Sequence, residues 1–289
     1  MPLGLSSALY ALRMALFLSL LLVDLSTSAH AGTLCVNQSG VHGCYSMISA
    51  AVAAANKGDT IAVAAGTYSE QVVIGKSLSL LGSGAGSSII DGRGLANGVF
   101  VDGIDHPGLS TVVVSGFTVE NAMFEGILVA SATDVTIKDN QVTQNDEALT
   151  LETAMPSCPG LPPFETNEAI DCGEGVHLIG VDHSLIADNT IMNNSGGILL
   201  SDETGPTHEN LLSGNRVKQN SLDCGIILAS HPPSSGAAVS FGVFRNTISG
   251  NESGENGPEN CGGAGVGIFA PGSGNKAYEN LILNAEPPR

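Results

Sequence analysis

The sequence predicts an all-β fold, a single-stranded right-handed parallel β-helix with a short N-terminal capping helix. Three observations predict it. Segments recur that open on a glycine and apolar residues and pass through a polar turn to an asparagine and another apolar strand. The hydrophobic residues are aliphatic, with 4% aromatics and no tryptophan in 289 residues. A short Ala-rich helical segment precedes the first strands.

The repeat is a glycine, three or four apolar residues, a polar turn, then Asn and another apolar strand. It is seen at Gly126-Ile127-Leu128-Val129 with Asn140, Gly175-Val176-His177-Leu178 with Asn189, and Gly197-Ile198-Leu199-Leu200 with Asn215. It continues at Gly225-Ile226-Ile227-Leu228 with Asn246 and Gly265-Val266-Gly267-Ile268 with Asn280. The shortest step is 22 residues, Gly175 to Gly197, and longer steps carry insertions. One copy cannot bury its apolar face alone, so copies stack into a continuous core. Asparagine suits the bend because it tolerates left-handed backbone and its amide can bond to the same Asn in the next coil.

Tyr45, Ile48, Val52 and Ala55 fall at helical spacing, so a cap is expected just after the start of the domain. It would cover strand edges that a solenoid otherwise leaves open. Asp59–Val63, Gly66–Tyr68, Gln71–Ile74 and Leu78–Gly82 follow as the first strands.

Residues 1–31 read as a secretory signal peptide. Arg13 precedes the apolar run Met14–Val23, and Ala29-His30-Ala31 forms the exit. The domain then spans 32–289. The apolar run is shorter than the ~18 residues of a membrane span, so a secreted or periplasmic product without membrane attachment is expected. Six cysteines in an exported chain point to disulfides. Sequence proximity favours Cys35–Cys44 and Cys158–Cys172, which leaves Cys224–Cys261, although six cysteines permit many other pairings. The net charge of −18, from ten Lys+Arg against twenty-eight Asp+Glu, argues against nucleic acid and anionic membranes. Oligomeric state is not legible in the sequence.

Gly-Asp-Thr-Ile-x-Val at Gly58–Val63, then Gly66-Thr67-Tyr68 and Leu80-x-Gly82, resembles the opening coils of pectin-lyase-like right-handed β-helix proteins. The later repeats are similar to the carbohydrate-binding and sugar-hydrolase repeats of that superfamily, and to periplasmic NosD-type proteins. The resemblance spans about Cys35 to Asn284. It implies a poly- or oligosaccharide partner bound in an exterior groove, or metal handling of the NosD type. The Gly-His-Gly and Arg-Ile-Lys of polygalacturonases, the Arg-x-Pro-x-x-Arg of pectate lyases and the Asp-Pro-His-Asp of mannuronan epimerases are missing.

The densest polar run is Ser201–Asn210. Counted from the repeat glycines, Asp202 aligns with Ser230 and Glu203 with His231. Equal offsets on adjacent coils lie roughly 4.8 Å apart. Asp202, Glu203, His208 and His231 are therefore expected along one groove as acid–base residues for a lyase, epimerase or hydrolase, with Asp223 reaching it. His177, His183, Arg216 and Thr207 are the substrate-binding candidates. Asp202 and Glu203 are the candidate ligands for Ca²⁺, the one cofactor considered. The alternatives are a non-catalytic carbohydrate-binding or adhesion solenoid and a metal-handling protein using the histidines. In the bland reading this run is an ordinary turn with exposed histidines.

Overall fold

The computed structural model describes residues 31–146, 164, 173–230, 241–257, 265–269 and 277–283. Its strands form three long sheets and one short one. The first sheet has nine strands, from Thr33–Val36 to Leu281–Leu283. The second runs from Gly66–Tyr68 to Glu252–Gly254, and the third from Val72–Ile74 to Val266–Phe269, with seven strands each. A three-stranded sheet adds Thr207–His208, Val243–Phe244 and Ala277–Tyr278. The chain visits the sheets in rotation, and each strand pairs in parallel with its counterpart one coil away. This is a parallel β-helix, with no helix long and apolar enough to cross a membrane among the described residues.

Aliphatic ladders make the core. On the first sheet Leu80, Val114, Ile137, Ile186, Leu212 and Ile248 stand in register. On the second the ladder is Ile90, Val119, Val142, Ile191 and Val217. On the third it is Val99, Ile127, Val176, Ile198 and Ile226. All of these are buried, and each contributes about 1.5–3 kcal/mol of transfer free energy. Small branched side chains fill a narrow coil where a tryptophan would not fit, which accounts for the composition.

Three asparagine ladders staple the corners. Asn140, Asn189, Asn215 and Asn251 form one, Asn145, Asn194, Asn220 and Asn256 a second, and Asn210, Asn246 and Asn280 a third. Within each ladder the later Oδ1 accepts the backbone N–H and the amide of the Asn one coil earlier, as Asn189 does from Asn140 at 3.0 and 3.1 Å. The left-handed residue is the one before the asparagine, not the asparagine itself. Asp139, Asp188, Gln144, Asn193, Glu209, Arg245 and Glu279 all have φ near 55°. The five asparagines of the repeat also belong to two different corners, because insertions shift the register.

The repeat glycines are needed for close approach. A Cβ on Gly197 would sit 2.0 Å from the Gly225 carbonyl oxygen and 2.4 Å from Val217 Cγ1.

The capping helix is Ile48–Ala54, with Ile48, Ala51 and Val52 buried. Tyr45 lies outside it, bridged to Val36. The helix start is held by a distant side chain, since Glu70 accepts from Ile48 N at 2.7 Å and Ser49 N at 2.9 Å. Asp59 similarly accepts from Gly32 N and Asn56 N, and the Asn56 bond first, then the Gly32 bond, holds its carboxyl below the usual range. Cys35 and Cys44 form a disulfide. Cys224 is also disulfide-bonded, to a partner outside the described residues; Cys158, Cys172 and Cys261 lie outside them too.

Candidate metal centre

Two groups of imidazoles and carboxylates stand at different corners of the coil. The first lies where the short sheet turns into the first long sheet. Asp182 pairs with His208 in register, and His208 continues to Phe244 and Tyr278. The next residues along, His183, Glu209, Arg245 and Glu279, all hold left-handed backbone. That conformation turns them outward on consecutive coils as a column of alternating charge.

His183 Nε2 is 2.9 Å from Glu209 Oε2, and His208 Nδ1 is 3.3 Å from the same oxygen. His183 Nδ1 contacts Asp182 Oδ1 at 3.0 Å. The Asp182 hydrogen bond, with the charges of Asp182, Glu209 and Asp134, raises the His183 pKa. Asp182 also accepts from Thr133 Oγ1, and Arg245 reaches Glu209 Oε1 and Glu279 Oε2 at 3.5 and 3.1 Å. The His208 ring stacks on Phe244 and Phe244 on Tyr278, with centroids 4.9 Å apart in each case. His183 and Glu209 are exposed and His208 is half-buried.

The second group sits between the second and third sheets. Glu125, Glu174 and His177 each offer a ligand atom within 4.8 Å of the others, and all three are buried. His177 Nε2 is 2.8 Å from Ser201 Oγ.

The other sequence candidates are placed as follows. Asp202 is fully buried; its Oδ2 accepts from Ser230 Oγ at 3.0 Å, as the equal offsets require, and from Gly242 N. Glu203 is also buried. The expectation that Asp202, Glu203 and His208 share an open groove is therefore corrected. Asp202 and Glu203 turn into the fold, whereas His208 faces Asp182 and Glu209. The physical reason is that Asp202 ties the turn together through backbone and hydroxyl donors. Neither Asp202 nor Glu203 belongs to a metal-ligating group among the described residues. Thr207 is buried and bonds Ser201 O, which makes it part of the same turn rather than a surface contact. Arg216 makes a half-exposed ion pair with Glu252 at 3.5 Å. Asp223 Oδ1 accepts from Cys224 N at the corner before Ile226–Ala229. His231 lies outside the described residues.

Sequence reasoning missed Asp182 and Glu209 as partners of His183 and His208, and it missed Glu125 and Glu174. A signal for the last two was present, since each immediately precedes a repeat glycine, in Glu125-Gly126-Ile127 and Glu174-Gly175-Val176.

The fold and these corners define a class: a parallel β-helix solenoid carrying imidazole–carboxylate groups with metal-ligand chemistry. Residues 54–287 match the family model "Periplasmic copper-binding protein (NosD)", and the chain belongs to that family. Comparison with curated protein sequences gives no match. Among solved structures it is similar to ORF18 of Geobacillus virus E2, at 13% identity and a TM-score of 0.55, over 82% of this chain. The chain spans only 44% of that viral protein. It is also similar to an alginate lyase from Paenibacillus sp. str. FPU-7, at 15% identity and a TM-score of 0.49, covering 88% of this chain and 96% of that one. The A-module of the Azotobacter vinelandii mannuronan C-5 epimerase AlgE6 follows, at 12% identity and a TM-score of 0.30, covering 84% and 95%. The first likeness speaks to fold alone, and no activity is carried over from the other two.

Copper fits the exterior corner by donor chemistry. Two imidazoles and a carboxylate are an N/O set of the kind Cu(II) prefers. Copper there would take the imidazole nitrogens in their neutral, deprotonated form.

Proposed function

We propose that this is an exported copper-binding β-helix protein, with the ion held by His183, His208 and Glu209 and with Asp182 orienting the rings. One observation carries the reading: two imidazole nitrogens converge on a single carboxylate oxygen at a solvent-facing corner. The match to a family described as periplasmic and copper-binding supports it, as does the signal-like leader. The acidic surface raises the local cation concentration. Titration of the purified protein with Cu(II), followed by calorimetry and electron paramagnetic resonance, tests it. Micromolar binding with hyperfine coupling from two imidazoles is expected, and it is lost in the His183→Ala/His208→Ala double variant. No heat at micromolar copper overturns the reading.

A second reading is carbohydrate binding along the same corner, supported by the planar column His208, Phe244 and Tyr278 with Arg245 and Glu279 beside it. The stacked rings offer an apolar edge along the column, and the flanking charged groups bond sugar hydroxyls. A glycan panel decides between its forms. Product marks a lyase, epimerase or hydrolase; saturable binding without product marks an adhesion solenoid; neither result removes the carbohydrate reading.

A further inference from the structure

The Glu125–Glu174–His177 corner has no part in the exterior copper reading, and its chemistry is different. Glu125 and Glu174 occupy the same register on adjacent coils, as the pairing of Ile127 with Val176 requires. Both are fully buried, and His177 is 1% exposed. Two carboxylates this close repel when both are ionised, and low-dielectric surroundings strengthen the repulsion. A divalent cation among them turns that repulsion into attraction.

The packing around them suits such an ion. Gly196 pairs with Glu174 on the next coil. A Cβ there would stand 3.0 Å from Glu174 Oε1 and 3.5 Å from Asp223 Cβ, so the glycine keeps a space open between the two acids. The Asp223 side chain bounds that space on its other side through its Cβ. Asn97, with its amide nitrogen turned to donate, reaches Glu125 Oε2 at 2.6 Å and Ala96 O at 3.1 Å. Ser201 Oγ fixes the His177 ring from the other side. Outer contacts of this kind orient metal ligands.

We propose that this corner is a second, structural metal site for a divalent ion of the Zn²⁺ or Mn²⁺ class, with Glu125, Glu174 and His177 as ligands. The imidazole and the low donor number disfavour Ca²⁺, which takes six to eight oxygens. The ion binds during folding, because the ligands are closed off from solvent. It staples the adjacent coils that carry Glu125 and Glu174.

The test uses the full exported chain carrying His183→Ala and His208→Ala, so that the exterior corner is out of play and failure of the copper reading leaves it intact. Protein produced in the presence of Zn²⁺ or Mn²⁺ is dialysed against chelator and its metal content measured. A single retained ion per chain is expected, with affinity lowered about ten- to hundredfold or more by Glu174→Gln or His177→Ala. Absence of metal in the double variant overturns the proposal, as does an unchanged ion in Glu174→Gln. Should Glu174→Gln not fold, pulsed resonance on the Mn²⁺-loaded double variant replaces it. Coupling to one imidazole nitrogen is expected, and none or two overturns the proposal.

Discussion

Replacing Asn189 by alanine removes a rung from the middle of one of the two four-asparagine staples. Its Oδ1 accepts from Asn140 N and Asn140 Nδ2, and its Nδ2 donates to Ile137 O and Asn215 Oδ1, all between 2.9 and 3.1 Å. The residue is 1% exposed, so water cannot substitute. The orphaned Asn140 N–H costs about 1–3 kcal/mol, and each of the other three bonds contributes about 0.5–1.5 net. Because these losses are correlated, the total comes to about 3–5 kcal/mol. Asn280 is the internal control, as it ends its ladder and is only part-buried, and it bonds Asn246 and Val243 O. Its alanine variant is expected to lose about 1 kcal/mol, since solvent replaces the lost partners there. Equilibrium urea unfolding, followed by far-ultraviolet dichroism and tyrosine fluorescence in parallel, measures both. Coincident curves are required, because a solenoid need not unfold as one unit. If Asn189→Ala falls within about 0.5 kcal/mol of the parent, or if the two variants lose the same amount, buried amide ladders do not stabilise this helix as argued.

Three further outcomes follow from the same geometry. Gly197→Ala forces a Cβ against the Gly225 carbonyl and Val217 and is expected to lower stability by about 2–3 kcal/mol, read from the urea midpoint. Glu70→Ala strips the acceptors from Ile48 N and Ser49 N at the capping helix; a loss of about 1–2 kcal/mol in thermal unfolding is expected, partly restored by Glu70→Gln. For His183 the folded pKa is raised, chiefly by the Asp182 hydrogen bond. Its stabilising contribution is therefore full below the unfolded value of about 6.5 and is lost as pH rises through the higher folded value. Melting temperature followed from about pH 5 to 9 in parent and His183→Gln should differ on the acid side and converge on the alkaline side; a constant gap would mean the imidazole does not titrate against Asp182.

Much of the architecture can be read along the chain. The opening strands of the first coils lie where Asp59–Gly82 places them, within a residue or two at each end. The repeat glycines mark the third sheet, because a strand must pass close to the next carbonyl there. The ladder asparagines are visible for the same reason, since few other side chains both accept and donate at one bend. The site is less legible. His177, His183 and His208 stand out as residues, yet their partners come from other coils. Insertions between coils break a constant residue count, so the offset that correctly joins Asp202 to Ser230 gives no hint of Glu209 beside His183, 26 residues away.

The amino-acid order alone determined the β-helix, its aliphatic interior and its capped entrance. These follow from periodicity, side-chain volume and backbone freedom, which are local properties that each coil repeats. The tertiary structure decided which ionisable groups meet. Stacking brings together residues separated by whole coils, and burial then determines which carboxylates, such as Asp202, serve the turn and which, such as Glu209, face solvent. Electrostatics depends on distances through space and on the surrounding dielectric, and neither is written in the spacing along the chain.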